Sequence, residues 1–539
     1  MIAAEEGTSV AYSGRLLYSS RSPEARANAV ADNAALWPDS LILVPSPILF
    51  YGVKHLINRL SSGSYILCVE LDQNLMKFSV RYAPTELLKH EKLSYIRSSS
   101  PTQVAHHVNR LGATRFRRVA MVPLSGGYSL YKSQYDDIRR TLERSIERRW
   151  RNQMTLMHMS RLWIANMIKN LSRNWSSLQT ALPRTTLPVV VAGAGESLEY
   201  SLPYLRRNRR HFFLFAVDTA LPVILESGLE PDATLVLESQ IANAMDFINH
   251  GGKHLTCICD LTSHPAVLEN LTCTCHFMLS TFADVSILAR LKQAGICPPS
   301  LPALGSVGVA AVEIALRLTA APIIITGLDF CYTCGKPHAR GSPSHLLSLT
   351  RTTRRVPVGW YTRSFDRSPV RTTDLRGCRI TSDPVLYSYG EVLAEMLHGK
   401  PGIYDMRRLG ITLDIAHVDD VQLTKLLGEH QRHRWTKPDY SAIDQAPSRG
   451  KIAEFFSGEI NLIDQASMSI SRPGLASLSS EKRTELLGLL TKLDYVFVGF
   501  PDSHTWKNLD ASFLMRFLAS AAEYKERFLR GRELVTLQS

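Results

Sequence analysis

At 539 residues the chain is too long for a single core, and about three domains of roughly 150 residues each is the expectation. Its 45% hydrophobic and 21% charged residues are ordinary for a folded protein, and a net charge of +13 favours an anionic partner. Nucleic acid is not the expected one, because the basic residues are scattered through folded-looking segments without an RNA- or DNA-binding signature. Residues 1–7 (MIAAEEG) hold no hydrophobic signal core. The longest apolar stretch, residues 40–52 (SLILVPSPILFYG), is short and broken by proline, so neither secretion by that route nor a membrane span is expected.

The clearest elements begin at residues 189–198 (VVVAGAGESL), an apolar strand that breaks into a Gly-x-Gly turn and restarts as a helix. Such a turn brings backbone N–H groups and a helix N-terminus to one spot, which suits phosphate; turns of this kind also serve close packing of a helix on a sheet. Residues 212–218 (FFLFAVD), 234–238 (TLVLE), 254–260 (HLTCICD), 273–280 (CTCHFMLS) and 322–329 (PIIITGLD) repeat the form, short apolar runs ending in a polar group. Helix-length segments separate them, including 219–228 (TALPVILESG) and 307–319 (VGVAAVEIALRLT). This pattern predicts βα units around a parallel sheet buried on both faces. Gly193, Gly195, Ser197, Asp218, Glu238, Ser280, Ser306 and Asp329 then gather at the strands' C-terminal rim, where such sheets bind ligands. For any single acid, capping a helix is the competing role.

Nine cysteines raise the question of metal. Cys257 and Cys259, like Cys273 and Cys275, alternate along strands and read as small core residues on one face. Cys331 and Cys334 have a Cys-x-x-Cys spacing without a thioredoxin-like context, so neither a metal nor a redox site is expected, and a reducing cytoplasm suits the set best.

Six segments in order resemble the motility-associated factor (Maf) flagellin glycosyltransferases: 193–198 (GAGESL), 216–220 (AVDTA), 228–232 (GLEPD), 237–240 (LESQ), 305–316 (GSVGVAAVEIAL) and 327–338 (GLDFCYTCGKPH). The same core is similar to the 6-hydroxymethylpterin diphosphokinase MptE group. Residues 13–23, 41–52 (LILVPSPILFYG) and 65–72 (YILCVELD) are similar to the N-terminal α/β domain of long Maf proteins, although the turn after its first strand reads Pro-Ser-Pro without glycine, which suits a structural or partner-binding role. Residues 151–170 resemble the helix that precedes the Maf core, with Trp163, Asn166 and Asn170 on a packing face.

The resemblance implies an α/β protein with a central Rossmann-like, mostly parallel sheet, flanked by an N-terminal α/β domain and a C-terminal helical region. The layout is residues 1–150, a connecting helix at 151–180, the MptE-like core at 181–415 and helices at 416–539. It also implies cytoplasmic transfer of a nonulosonic acid from a CMP-activated donor to Ser or Thr of flagellin, with no obligatory cofactor. Gly193, Ala194, Gly195 and Ser197 would hold the nucleotide, Asp218 and Glu238 would orient hydroxyls, and Gln240, Gly305, Ser306 and Asp329 would complete the binding set. His338, on a glycine-containing loop past the last crevice strand, would be the base, with Tyr332 and Lys336 donating to the leaving phosphate. Glu196 stands where the family has proline and puts a negative charge in the turn. Two alternatives accompany this reading: a diphosphokinase, needing ATP and Mg²⁺ held by acids of the rim, and a non-catalytic flagellar assembly scaffold.

Between about 338 and 380 lies a basic insertion in which Arg340, Arg351, Arg354, Arg355, Arg363, Arg367, Arg371, Arg376 and Arg379 are opposed by Asp366 and Asp374. Arginine forks suit carboxylate and phosphate, and a solvated basic loop has the same composition. Residues 206–210 (RRNRR) read as an exposed helix end. Residues 381–397 open the helix-rich region, 430–441 (HQRHRWTKPDYS) suit a linker, and the helices near 481–492 and 524–530 carry no catalytic constellation.

Overall fold

The computed structural model describes residues 1–111, 116–178, 182, 184–247, 255–269, 273–333, 336–355, 368–429, 446–471 and 479–537. Cys334, Arg363, Asp366, Arg367 and the linker expected at 430–441 lie outside the described residues. Two compact units are present: Met1–His158 with Phe500–Asn508, and Met159–Gly499 with Leu509–Ser539.

The first unit holds a four-stranded parallel sheet of β1 (Ser40–Pro45), β2 (Tyr65–Glu70), β3 (Leu93–Arg97) and β4 (Arg118–Met121), in the order β3-β2-β1-β4. The helix expected at 151 starts earlier and runs over Lys132–Arg173, with the unit boundary inside it. Its first half is heavily charged, yet Tyr135, Ile138, Leu142 and Ile146 recur at helical spacing and are buried with Leu41, Leu67 and Val104 in the first unit's core.

The second unit is built on nine parallel strands: β5 (Val189–Ala192), β6 (Phe213–Val217), β7 (Ala233–Val236), β8 (Leu255–Asp260), β9 (Cys273–Thr281), β10 (Ser300–Pro302), β11 (Ile323–Thr326), β12 (Ile403–Asp405) and β13 (Ala416–His417). Their order is β10-β9-β8-β7-β6-β5-β11-β12-β13. Strands β5, β6, β7 and β11 are buried at every position, which is why they read as unbroken apolar runs rather than alternating ones. Chain order moves outward from β5 to β10 and then crosses back to β11, on the other side of β5, so the topological switch point falls between β5 and β11. This is the α/β, Rossmann-like architecture expected of the core.

Helices Arg449–Ser471, Ser480–Lys492 and Ala511–Leu537 follow. They join the sheet unit through polar anchors: Ser286 N donates to Asp494 at 2.9 Å, and Arg290 grips the buried Glu459 at 2.6 and 2.8 Å. Cys257 and Cys259 are buried on β8, and Cys257 pairs in register with Cys275 of β9. Among the described residues, no three His, Cys, Asp or Glu side chains lie together as a metal would need, and no helix is long and apolar enough to cross a membrane.

Candidate functional site

Because all nine strands are parallel, their C-terminal ends open on one edge, and the turns after β5 and β11 meet at the switch point. Gly195 N donates to Gly327 O at 2.7 Å and Gly193 N to Thr326 O at 2.9 Å. A Cβ on Gly193 would lie 2.3 Å from Gly327 O, and one on Gly195 would lie 2.5 Å from Asp329 Oδ2. Close approach of two backbones therefore requires both glycines.

The helix that follows, Ser197–Arg207, receives a carboxylate at its N-terminus: Ser197 N donates to Asp329 Oδ2 at 2.8 Å and the Ser197 hydroxyl to Asp329 Oδ1. Both residues are buried. Burial pushes the Asp329 carboxyl up to about 6, against the lowering influence of Arg407 and of the Ser197 hydrogen bonds. Arg407 was not singled out in the sequence. Fully buried, it pairs with Asp405 through Nε at 2.9 Å and Nη2 at 2.7 Å and donates to the carbonyls of Leu328 and Ile411, bracing the turn that carries Asp329.

The loop past β11 covers this turn. Ala339 N donates to Ala194 O at 2.7 Å. Lys336 is ion-paired with Glu199 and lies 3.8 Å from Glu196, so Glu196 is turned towards a cation, with its other carboxylate oxygen buried and without a donor among the described residues. Arg340 N donates to Glu199 at 2.6 Å. Tyr332 OH donates to Asp383 at 2.6 Å, and Asp383 also caps helix Pro384–Leu397. His338 is half-buried with Nδ1 3.0 Å from Ser344 Oγ. The structure thus brings Lys336 to the Ser197 helix, whereas Tyr332 is drawn to the Pro384 helix.

A second group forms at the ends of β6 and β7. Asp218 is buried and accepts from Thr219 N at 2.8 Å and from Asn243 Nδ2 at 2.9 Å; the same Nδ2 donates to Asp246 at 3.0 Å. Burial, with repulsion from neighbouring carboxylates, raises both acids above the ordinary carboxylate range. Glu238 is exposed beside them and accepts from Gln240 N at 3.0 Å, and exposed Gln240 reaches Met159 Sδ at 3.6 Å. Asn243 and Asp246 escaped sequence reasoning; their signal is an amide and an acid three residues apart just past a strand end.

Trp163, Asn166 and Asn170 do more than pack. Asn166 donates to Ser239 O and Thr262 O at 3.0 and 2.9 Å, Asn170 to Leu261 O and Ser263 O at 2.9 Å each, and Trp163 to Ser239 Oγ at 3.1 Å. They tie down the turns after β7 and β8. Ser280 N donates to the buried Asp260 at 2.8 Å. Exposed Gly305 takes a left-handed φ of 74° against Tyr389, and Ser306 precedes helix Val307–Leu318 without a side-chain cap bond. Of the basic insertion, Arg376 pairs with Asp374 at 2.9 Å, and Arg371 and Arg379 lie on a two-stranded hairpin.

These features define an α/β protein with a polar crevice rim at a Rossmann-like switch point. Residues 163–335 match the family described as 6-hydroxymethylpterin diphosphokinase MptE-like, so the chain carries an MptE-like domain. Over its length the chain is similar to the solved structure of a Maf glycosyltransferase from Magnetospirillum magneticum AMB-1, with a TM-score of 0.61 and 14% identity, covering 98% of this chain and 90% of that one. The Maf fold is thus shared beyond the MptE-like core. An uncharacterized protein of Treponema pallidum (strain Nichols) is 28% identical over 535 residues, 96% of this chain and 93% of that protein. A second uncharacterized protein of that organism is 35% identical over 86 residues, 16% of this chain and 40% of that protein.

Proposed function

We propose that the chain is a glycosyltransferase that moves a nonulosonic acid from a CMP-activated donor to Ser or Thr of flagellin in the cytoplasm. The observation that carries this reading is the MptE-like crevice set within a fold shared with a Maf glycosyltransferase over nearly the whole chain. Transfer from such a donor requires a seat for the CMP phosphate, groups that hold sugar hydroxyls and a base for the acceptor. The turn at Gly193, Ala194, Gly195 and Ser197, with Lys336 beside it, is assigned to the nucleotide end, although the N–H groups of Gly193, Gly195 and Ser197 are given within the chain to Thr326 O, Gly327 O and Asp329. Asp218, Glu238 and Gln240 are assigned to hydroxyls, with Gly305, Ser306 and Asp329 completing the rim. His338 and Tyr332, on the covering loop, are assigned to the acceptor side and the leaving group.

The description of the matched family favours one other reading, ATP-dependent diphosphoryl transfer. The described residues offer no set of three His, Cys, Asp or Glu side chains that would hold Mg²⁺. Calorimetry with CMP, CMP-pseudaminic acid, CMP-legionaminic acid and ATP, with and without Mg²⁺, tests the assignment. CMP binding without metal is the expected outcome. ATP binding that needs Mg²⁺ would favour the kinase, and no nucleotide binding would leave the scaffold.

A further inference from the structure

The group at the ends of β6 and β7 is short of donors. Asn243 turns its Nδ2 on two acids, Asp218 Oδ2 at 2.9 Å and Asp246 Oδ2 at 3.0 Å. The Thr219 hydroxyl lies 3.3 Å from an oxygen of each, and its one hydrogen serves one acid at a time. Asn243 Oδ1 is buried and has no donor among the described residues, in a side chain only 6% exposed. A buried amide whose donor half is doubly used and whose acceptor half is empty among the described residues can accept from a hydroxyl or N–H of a bound ligand. Its Nδ2 hydrogens point between the carboxylates, where a bound cation would need oxygen instead.

Asp246 is the more accessible of the two acids, at 9% exposure against 2% for Asp218. Burial, together with the neighbouring carboxylates Asp218 and Glu238, holds its proton affinity above that of an ordinary aspartate. A carboxylate raised towards neutrality is a better proton acceptor than an exposed one, which is what removal of a hydroxyl proton needs.

We propose that Asp246, in place of His338, is the catalytic base of the transfer, with Asn243 Oδ1 accepting from a second hydroxyl of the bound ligand. The assignment rests on the transferase reading. In the step, the acceptor oxygen bonds to the anomeric carbon while that carbon's bond to the CMP phosphate oxygen breaks. The electron pair of that bond leaves with CMP, and the acceptor's proton passes to a carboxylate oxygen of Asp246.

The test compares the full-length protein with Asp246→Asn, Asp246→Gly and His338→Ala, using CMP-pseudaminic and CMP-legionaminic acid as donors and flagellin as acceptor. Turnover is followed by mass spectrometry of flagellin, and CMP affinity by calorimetry. Expected for Asp246→Asn is a loss of about 10²–10⁴-fold in kcat with CMP affinity within threefold of the unmodified protein. Sodium formate, a small carboxylate that fits the space left in Asp246→Gly, is expected to restore turnover at least tenfold, which a folding defect would not show. Retention of kcat within threefold by Asp246→Asn, or its loss in His338→Ala alone, overturns the assignment. Absence of CMP binding by the unmodified protein overturns the transferase reading instead, so the two failures are distinct.

Discussion

Replacing Gly193 by Ala tests whether the Gly-x-Gly turn is held by backbone contact. The new Cβ would lie 2.3 Å from Gly327 O and 2.4 Å from Leu328 Cδ2, so the turns after β5 and β11 must part by about 1 Å to reach ordinary van der Waals contact. Overpacking of this kind costs about 1–3 kcal/mol. Parting the turns also stretches the bonds from Gly193 N to Thr326 O and from Gly195 N to Gly327 O, each worth about 0.5–1.5 kcal/mol. The reduced freedom of the unfolded chain returns about 0.4–1 kcal/mol, leaving a net loss of about 2–3 kcal/mol. The second unit has about 370 residues, so at about 2 cal/mol/K of unfolding entropy per residue its Tm should fall by about 3 °C. Scanning calorimetry measures this, with Gly458→Ala as the control. Gly458 is exposed within helix Arg449–Ser471 and a Cβ there meets nothing within 4 Å. Its replacement should stabilise by about 0.8–1 kcal/mol. If Gly193→Ala raised Tm as Gly458→Ala does, the close-approach argument would be wrong.

Three further outcomes follow from buried groups. Asp329 is raised from 3.8 to about 6 in the folded protein; the fold therefore holds its proton more tightly than the unfolded chain, and stability from this group is full below pH about 4 and is lost as pH rises through about 6. Asp329→Asn removes that dependence, so the variant should gain about 3 kcal/mol relative to the unmodified protein between pH 4 and 7 in denaturant titrations, and parallel pH curves would refute the assignment. Arg407→Ala leaves Asp405 buried without its partner and should destabilise by about 3–5 kcal/mol, while the double variant with Asp405→Ala should lose less than the two singles combined; additive losses would show that the pair is not coupled. Asn166→Ala removes donors from the carbonyls of Ser239 and Thr262, which should cost about 1–3 kcal/mol and speed amide exchange in the turns after β7 and β8; unchanged exchange there would exclude the clamp.

The sheet of the second unit was legible because strands buried on both faces are written as continuous apolar runs, and VVVA, FLFAV, ATLV and IIIT are such runs. The long helix was legible only in its second half. Charged residues such as Arg139, Arg140, Glu143 and Arg144 crowd the first half and obscure the spacing of Tyr135, Ile138, Leu142 and Ile146. Arg407 lies just past the strand Ile403–Asp405, and no local pattern announces that its guanidinium is fully buried on Asp405. Asn243 and Asp246 lie in the 3-10 segment Ile241–Phe247, whose chemistry depends on Asp218, some twenty-five residues earlier, and such a contact has no periodicity to betray it. The direction of Glu196 likewise depends on Lys336, which sequence spacing does not place.

Within each unit the parallel sheet has a switch point, and the two are used differently. In the first unit it lies between β1 and β4, where residues 45–47 replace a glycine turn with Pro-Ser-Pro. Ser46, Ile48 and Phe50 take left-handed φ angles of 46°, 48° and 60°, a backbone that β-branched and aromatic residues resist. Contacts of that unit hold them there: the Ser125 hydroxyl donates to Ser46 O at 2.6 Å, Tyr18 OH donates to Pro47 O at 2.5 Å, and Ile48 and Leu49 are buried with Val10, Leu17 and Tyr18. Side chains and hydrogen bonds of the unit's own core thus hold this turn. In the second unit the turns after β5 and β11 touch backbone to backbone through glycine, and two buried polar atoms at the strands' ends, Glu196 Oε2 and Asn243 Oδ1, are without a hydrogen-bond partner among the described residues. Buried polar capacity left unfilled is expensive in a fold, whereas filled apolar space is not. At this rim Asn243 Oδ1 and Glu196 Oε2 carry that cost among the described residues, and a hydroxyl or N–H that reached them would relieve it.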